Sequence, residues 1–251
     1  MQPDVEAVRL CFTAGGAGEP ILLVHGWGGD GRSWNPVGFA GRRVVTVDLR
    51  GHGRSPVPSG GYRPQDYAFD LAELLEELDL GPVVAVGHSM GGQIVVRLAL
   101  DRPELVGAVV AIDPAYGADE VEAASFQQRL SDLRRDGAAA AVRQLGDLTD
   151  EVREQLLRTP GHVLAESYAG MYTDPGAIGA RPAAAKALAS LGRPLLCIRP
   201  TPSMAAWDLT CAVRPGSRVV LWRDAGHFLH RERPQAFTRL VNSWLGSLEG
   251  L

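Results

Sequence analysis

Residues 83–99 constrain this chain more than any other stretch: Val83-Val84-Ala85-Val86, then Gly87-His88-Ser89-Met90-Gly91-Gly92, then Gln93-Ile94-Val95-Val96-Arg97-Leu98-Ala99. A short β-branched apolar run reads as a buried strand, and the pattern after it reads as a helix. A turn of small residues joins the two, with one serine at its apex. In that context the G-x-S-x-G spacing fits a nucleophile elbow, where side chains at the flanking positions would collide and glycine occupies both. The Ser89 hydroxyl would then stand above the sheet edge, and the Met90 N–H could donate to a developing oxyanion. The plainer alternative is an ordinary glycine-rich turn between strand and helix.

The rest of the chain has room for such a scaffold. With 251 residues, 45% hydrophobic and 22% charged, it suffices for one α/β domain with an insertion. A formal net charge of −4 and the absence of like-charge runs argue against nucleic acid as a partner. Cys11, Cys197 and Cys211 are too few and too scattered for a disulfide framework or a zinc site. The start, Met1-Gln2-Pro3-Asp4, shows no leader pattern, and no stretch approaches the ~18 apolar residues of a membrane span. A cytoplasmic protein in a reducing compartment is expected.

Along the chain, residues 5–13 read as an edge strand and Ile21-Leu22-Leu23-Val24-His25 as a strand covered on both faces. The following Gly26-Trp27-Gly28-Gly29-Asp30-Gly31 satisfies G-x-G-x-x-G, and Asp48 closes the next strand at about the spacing of a ribose-binding acid. Against a dinucleotide site, the connection over residues 32–43 holds Pro36, Gly38 and Gly41 and has no room for a crossover helix. The alternative use of this loop is to set the Trp27 N–H opposite that of Met90. Residues 65–80 carry a helical apolar stripe, residues 106–112 form a strand ending in Asp113-Pro114, and strands resume at Pro194 and Arg218. A helix over residues 234–248 ends the chain. This alternation predicts a doubly wound, mostly parallel α/β sheet.

Over residues 115–191 the strand patterns stop and helical faces take over, among them Phe126, Leu130 and Leu133, then Val152, Leu156 and Leu157. Asp174-Pro175 reads as an N-cap and first helical position. Phe126, Tyr168, Met171 and Tyr172 are candidates to line an apolar pocket. Of the six histidines, His227 is the best general base, because it lies in a loop after the final strand among small residues. His25, His52 and His88 read as structural, His162 as a surface residue and His230 as support behind the site.

The chain resembles the α/β-hydrolase superfamily. The resemblance rests on His25-Gly26-Trp27-Gly28-Gly29, Asp48-Leu49-Arg50-Gly51-His52-Gly53-Arg54-Ser55, Gly87-His88-Ser89-Met90-Gly91-Gly92 and Asp224-Ala225-Gly226-His227-Phe228, with Glu232 and Pro234 following. It implies a core of residues 1–114 and 192–251, a helical cap over residues 115–191, Ser89 as nucleophile and His227 as base. One element departs from the pattern. Most relatives place the triad acid just after the strand that follows the cap, where this chain reads Arg199-Pro200-Thr201-Pro202-Ser203 without a carboxylate. Asp113 occupies the acid position of some branches, and Asp208 is the rival if the loop at residues 201–206 folds back. Asp113 is preferred because a strand end holds a side chain more rigidly than a loop. Asp224 is too near His227 along the chain.

The expected activity is hydrolysis of an ester, lactone or thioester through an acyl-enzyme. Ser89, His227 and Asp113 would form the triad, and the Trp27 and Met90 N–H groups the oxyanion hole. No metal or organic cofactor is called for. The expected partner is a small to medium hydrophobic substrate, with no nucleic acid and no membrane, and the sequence leaves the oligomeric state open. Two other classes are a cofactor-free oxygenase or carbon–carbon bond hydrolase using the His-Asp pair, and a noncatalytic ligand receptor.

Overall fold

Why the apolar runs read as buried strands is visible in where their side chains go. β1 (Cys11–Gly15) pairs antiparallel with β3 (Arg43–Asp48). The remaining strands, β2 (Pro20–Val24), β4 (Val83–His88), β5 (Val106–Ile112), β6 (Leu195–Arg199) and β7 (Arg218–Leu221), extend the sheet in parallel. The order across the seven strands is β1-β3-β2-β4-β5-β6-β7. Alternate residues take opposite faces. Leu22, Val24, Ala85, Val109, Ala111 and Cys197 meet the apolar sides of α1 (Pro64–Glu77) and α2 (Met90–Asp101). Ile21, Leu23, Val86, Val110, Ile112 and Ile198 meet Phe237, Val241 and Trp244 of α11, the helix Pro234–Leu248. The computed structural model describes residues 5–248, so the N-terminal Met1 to Asp4 lies outside the described residues.

The strand order also fixes where a site can form. From β2 the chain moves outward to β3, then crosses back over β2 to β4, so the connections diverge between β2 and β4. Loops leaving the carboxyl ends of those two strands therefore bound a crevice. They carry Trp27 and Ser89.

Between β5 and β6 the chain runs through α3 (Glu120–Ala123), α4 (Phe126–Asp136), α5 (Ala138–Leu145), α6 (Asp150–Arg158), α7 (Gly161–Tyr172) and α8 (Arg181–Ala189). These helices have an apolar cluster of their own, including Leu130, Leu133, Ala141, Leu156, Leu164 and Tyr168, and Trp27 and Phe228 of the sheet side pack against it. Beyond β6 come α9 (Pro202–Cys211), then β7 and α10 (Leu229–Glu232). Among the described residues no helix is long and apolar enough to cross a membrane.

Several local expectations are corrected. The edge strand begins at Cys11, because upstream the Val8 N–H donates to Asp70 Oδ1 at 2.8 Å instead of joining the sheet. Asp174 lies in a turn and caps no helix; Gly176, at φ 86°, ends any helical run begun at Pro175. Leu157 faces solvent while Val152 and Leu156 are buried. Residues 201–206 are not a free loop but the start of α9, with proline in its first turn, so Asp208 is carried on a helix.

One buried ion pair ties the periphery together. Arg50 Nε and Nη2 both donate to the Asp70 carboxylate at 2.5 Å, and the guanidinium also reaches Gly61 O at 3.0 Å and Glu6 O at 3.2 Å. Each side chain is 1% exposed, so removing one partner strands a charge away from water. Asp70→Ala is expected to cost about 3–5 kcal/mol of folding stability, read from the midpoint of a urea titration.

Candidate active site

The elbow places Ser89 in a backbone conformation that few residues with a side chain adopt, φ 52° and ψ −114°. It persists because its surroundings leave no alternative. A Cβ on Gly87 would lie 2.1 Å from Gly91 O, and one on Gly91 would lie 2.4 Å from Val24 O. The collisions that demand glycine are thus with the helix backbone and with β2. Ser89 N donates to Ile112 O at 2.9 Å and Ser89 O accepts from Ala115 N at 3.0 Å, which lashes the apex to the end of β5.

His227 arrives from the loop after β7. Glu232 holds that loop by accepting from Gly226 N at 2.9 and 3.1 Å. The His227 Nδ1–H donates to Asp113 Oδ2 at 2.6 Å, so the structure brings together His227 and Asp113, and Nε2 remains free of partners among the described residues. Asp208 does not approach the imidazole. It accepts from Arg199 Nε at 2.6 Å, while Arg199 Nη1 donates to Asp113 Oδ1 at 3.3 Å. The same guanidinium reaches Pro114 O at 2.7 Å and Tyr116 O at 3.0 Å. Burial alone would raise the Asp113 carboxyl; the His227 hydrogen bond and charge, followed by Arg199, outweigh it and hold the group below its ordinary value. Arg199 was missed as a site residue by sequence reasoning. Its signal was an arginine at the end of an apolar strand, a charge that must find buried partners. Asp224 is exposed and makes no bond to His227.

The Trp27 and Met90 N–H groups have no acceptor among the described residues. Both lie at the crevice, one after β2 and one at the first residue of α2. Behind them two histidines hold the loops. His25 Nδ1 donates to Gly26 O at 2.8 Å and its Nε2 accepts from Leu49 N at 3.0 Å; His52 Nδ1 donates to Arg50 O at 2.9 Å and its Nε2 accepts from Gly28 N at 3.3 Å. One donor and one acceptor per ring require the neutral form. Asp48 accepts from Gly31 N at 2.8 Å and from Arg54 N and Nε at 3.0 and 2.9 Å. That carboxylate pins two turns together, and only a short helical turn, Gly31–Trp34, occupies the connection to β3, as the argument against a dinucleotide site requires.

Ser89 and His227 line one cavity of about 100 Å³. Tyr168, Met171 and Tyr172 line it too, whereas Phe126 stands behind them, its ring 4.5 Å from that of Tyr172. Three polar side chains from the helical insertion also reach it: Arg129, Gln144 and Gln155. A larger groove of about 760 Å³ opens beside Asp30, Arg32, Asp48 and Arg54, but these charges already pair with one another and neither Ser89 nor His227 lines it.

Comparison with known proteins places this arrangement in a class. The model of the alpha/beta hydrolase family matches residues 21–240, and the chain belongs to that family of hydrolases. It is 29% identical over 92% of its length, and 92% of the relative's, to a Bacillus subtilis (strain 168) protein provisionally named 2-succinyl-6-hydroxy-2,4-cyclohexadiene-1-carboxylate synthase. It is likewise 29% identical, over 96% of the chain and 93% of the relative, to the 2-(acetamidomethylene)succinate hydrolase of Mesorhizobium japonicum (strain LMG 29417 / CECT 9101 / MAFF 303099). Among solved structures, the enol-lactonase of Burkholderia xenovorans LB400 superposes with a TM-score of 0.78 at 23% identity, covering 95% of this chain and 97% of that one.

Two further histidines sit beneath the site. His88 Nε2 donates to His227 O at 2.9 Å, and His230, fully buried between Trp34, His88 and Phe237, makes no hydrogen bond among the described residues. Burial, then the charge on Arg231, push His230 down to about 3. Burial, then His25, push His52 to about 3 as well. The unfolded chain therefore takes up protons on these rings below pH 6.5 that the folded chain refuses until about pH 3, and stability falls as the pH falls through that window. Each ring is expected to contribute about 1.4 kcal/mol per pH unit. Urea titrations at stepped pH check the slope, which His230→Leu should lower by about one proton's worth.

Proposed function

We propose that this protein is a serine hydrolase that cleaves an ester or lactone through an acyl-enzyme, with residues 115–191 as the substrate-shaping cap on a core of residues 1–114 and 192–251. The observation that carries the reading is the shared cavity, where a half-buried serine on a strained backbone lines the same space as an imidazole whose far nitrogen is bound by a carboxylate.

In this mechanism Ser89 Oγ attacks the carbonyl carbon while His227 Nε2 takes its proton. The carbonyl oxygen becomes an anion and accepts from the Trp27 and Met90 N–H groups, which are preorganised and carry no competing bond. Collapse of the tetrahedral species breaks the carbon–oxygen bond to the leaving alcohol, which receives the proton back from His227. Water then repeats the sequence on the acyl-enzyme, releasing the acid and restoring Ser89. Asp113 keeps the proton on Nδ1 and stabilises the imidazolium in each half; Arg199, oriented by Asp208, in turn keeps Asp113 ionised and in place. The family match and the enol-lactonase's likeness in fold support the class of reaction. A serine at the apex argues against routes that need a carboxylate nucleophile.

The test is turnover of p-nitrophenyl esters and lactones, with labelling by a fluorophosphonate. Ser89→Ala is expected to abolish both labelling and turnover. Asp113→Asn is expected to lower kcat by about four orders of magnitude, since the imidazole is then held in the wrong tautomer. Asp208→Asn, which removes the acceptor of Arg199 and of the Cys197 thiol and not a partner of His227, should cost stability far more than kcat; the reverse ranking would overturn the assignment of the acid. Oxygen uptake in step with turnover would instead assign the His227–Asp113 pair to substrate deprotonation.

A further inference from the structure

We propose that Arg129 makes the cap end of the cavity a carboxylate receptor, so that the substrate is an ester or lactone carrying a free carboxylate away from the bond that breaks. This rests on the hydrolase reading and names the substrate class for the same site.

Arg129 lies on α4, half-buried, and lines the cavity shared by Ser89 and His227. Among the described residues no aspartate or glutamate lines that cavity, and Arg129 is the one permanently charged side chain in its wall. Other arginines of the same insertion are neutralised: Arg135 by Asp132 and Asp136, Arg143 by Asp136, and Arg158 by Glu154. Among the described residues Arg134 and Arg153 have no such partner but are exposed, where water solvates them, and Arg181, outside the cavity, donates to Gly117 O at 3.1 Å and lies over the Trp207 ring. Arg129 pairs with no carboxylate among the described residues. A cation facing a confined, partly apolar space without a counter-ion is costly to desolvate, and an anion entering that space recovers the cost.

The surroundings suit a planar anion. The Tyr168 hydroxyl, buried on the same wall, lies against the Arg129 side chain, and its O–H has no acceptor among the described residues, which leaves a neutral donor beside the cation. Gln144 Nε2 donates to Arg129 O at 3.0 Å and so fixes the backbone that carries the guanidinium. Arginine presents its donors in a fork that matches a carboxylate. The rings of Tyr168 and Tyr172, 4.8 Å apart, give the middle of the cavity an apolar wall. The sequence-based expectation of a hydrophobic substrate is thereby sharpened to an apolar body with an anionic end.

The test compares two p-nitrophenyl esters of equal length, mono-p-nitrophenyl glutarate and p-nitrophenyl methyl glutarate, in the full-length enzyme. The ratio of their kcat/KM values is expected to favour the anionic ester by at least about tenfold, mostly through KM, in keeping with a charge-assisted hydrogen bond. Arg129→Gln should collapse that ratio, Arg129→Lys should retain part of it, and Arg134→Gln on the outer face should leave it unaltered. A wild-type ratio near unity, or a ratio that Arg129→Gln does not change, overturns the proposal. A second arm separates this from failure of the hydrolase reading: binding of glutarate and of glutaramide to the Ser89→Ala protein, followed by calorimetry. Selective binding of glutarate that Arg129→Gln removes upholds the receptor even if neither ester turns over, and equal binding of the two sinks it.

Discussion

Ser89 is held in a left-handed backbone that costs on the order of 1–3 kcal/mol, and the arrangement around it exists to make every relaxed alternative worse. The apex is bonded to Ile112 and Ala115 at the end of β5, and α2 begins so close to β2 that Gly91 touches the Val24 carbonyl. Three neighbouring strands must therefore be in register before the serine is presented at all. That register comes from the two-residue alternation of apolar side chains, which buries one set against α1 and α2 and the other against α11. The strain is thus set against the burial of the whole sheet, and no local bond has to carry it.

A second constraint is electrostatic. With a carboxylate at the end of β5, the end of β6 holds a cation, and Arg199 sits between Asp113 and Asp208 and also donates to the Pro114 and Tyr116 carbonyls. Such a buried group is tolerable because each donor is matched and the two carboxylates oppose the guanidinium charge. The consequence reaches the imidazole, since Asp113 stays ionised and aimed at His227 Nδ1. Asp208 belongs to this chain of charges, one step removed from the histidine.

The helical insertion is joined to the same centre through Trp27. Its indole N–H donates to Leu164 O at 3.1 Å and Ser167 Oγ at 3.0 Å, both on α7, while its own backbone N–H has no acceptor among the described residues. Gln155 on α6 likewise donates to Asp30 Oδ1 at 2.9 Å, and Arg231 pairs with Glu151. The part of the cavity wall that the insertion supplies is thereby tied to residues whose positions it helps to fix. Arg129 adds a charge to that wall, and the tyrosines of α7 add its apolar part.

The amino-acid sequence by itself determined the strands, the elbow and the loop that carries His227, because these depend on short-range rules: apolar alternation, glycine where a Cβ would collide, and proline at helix starts. It also narrowed the expected partner of His227 to two aspartates and identified Tyr168, Met171 and Tyr172 as lining residues. Only the tertiary structure shows which of Asp113 and Asp208 meets the imidazole, because that turns on contacts between residues 114 and 86 positions apart, His227 with Asp113 and Arg199 with Asp113. It alone moved Phe126 behind the wall and brought Arg129 into it, since a helix pattern tells which residues share a face but not which face meets the cavity. Paired charges and cavity walls are set by where distant elements pack, and no local preference encodes that.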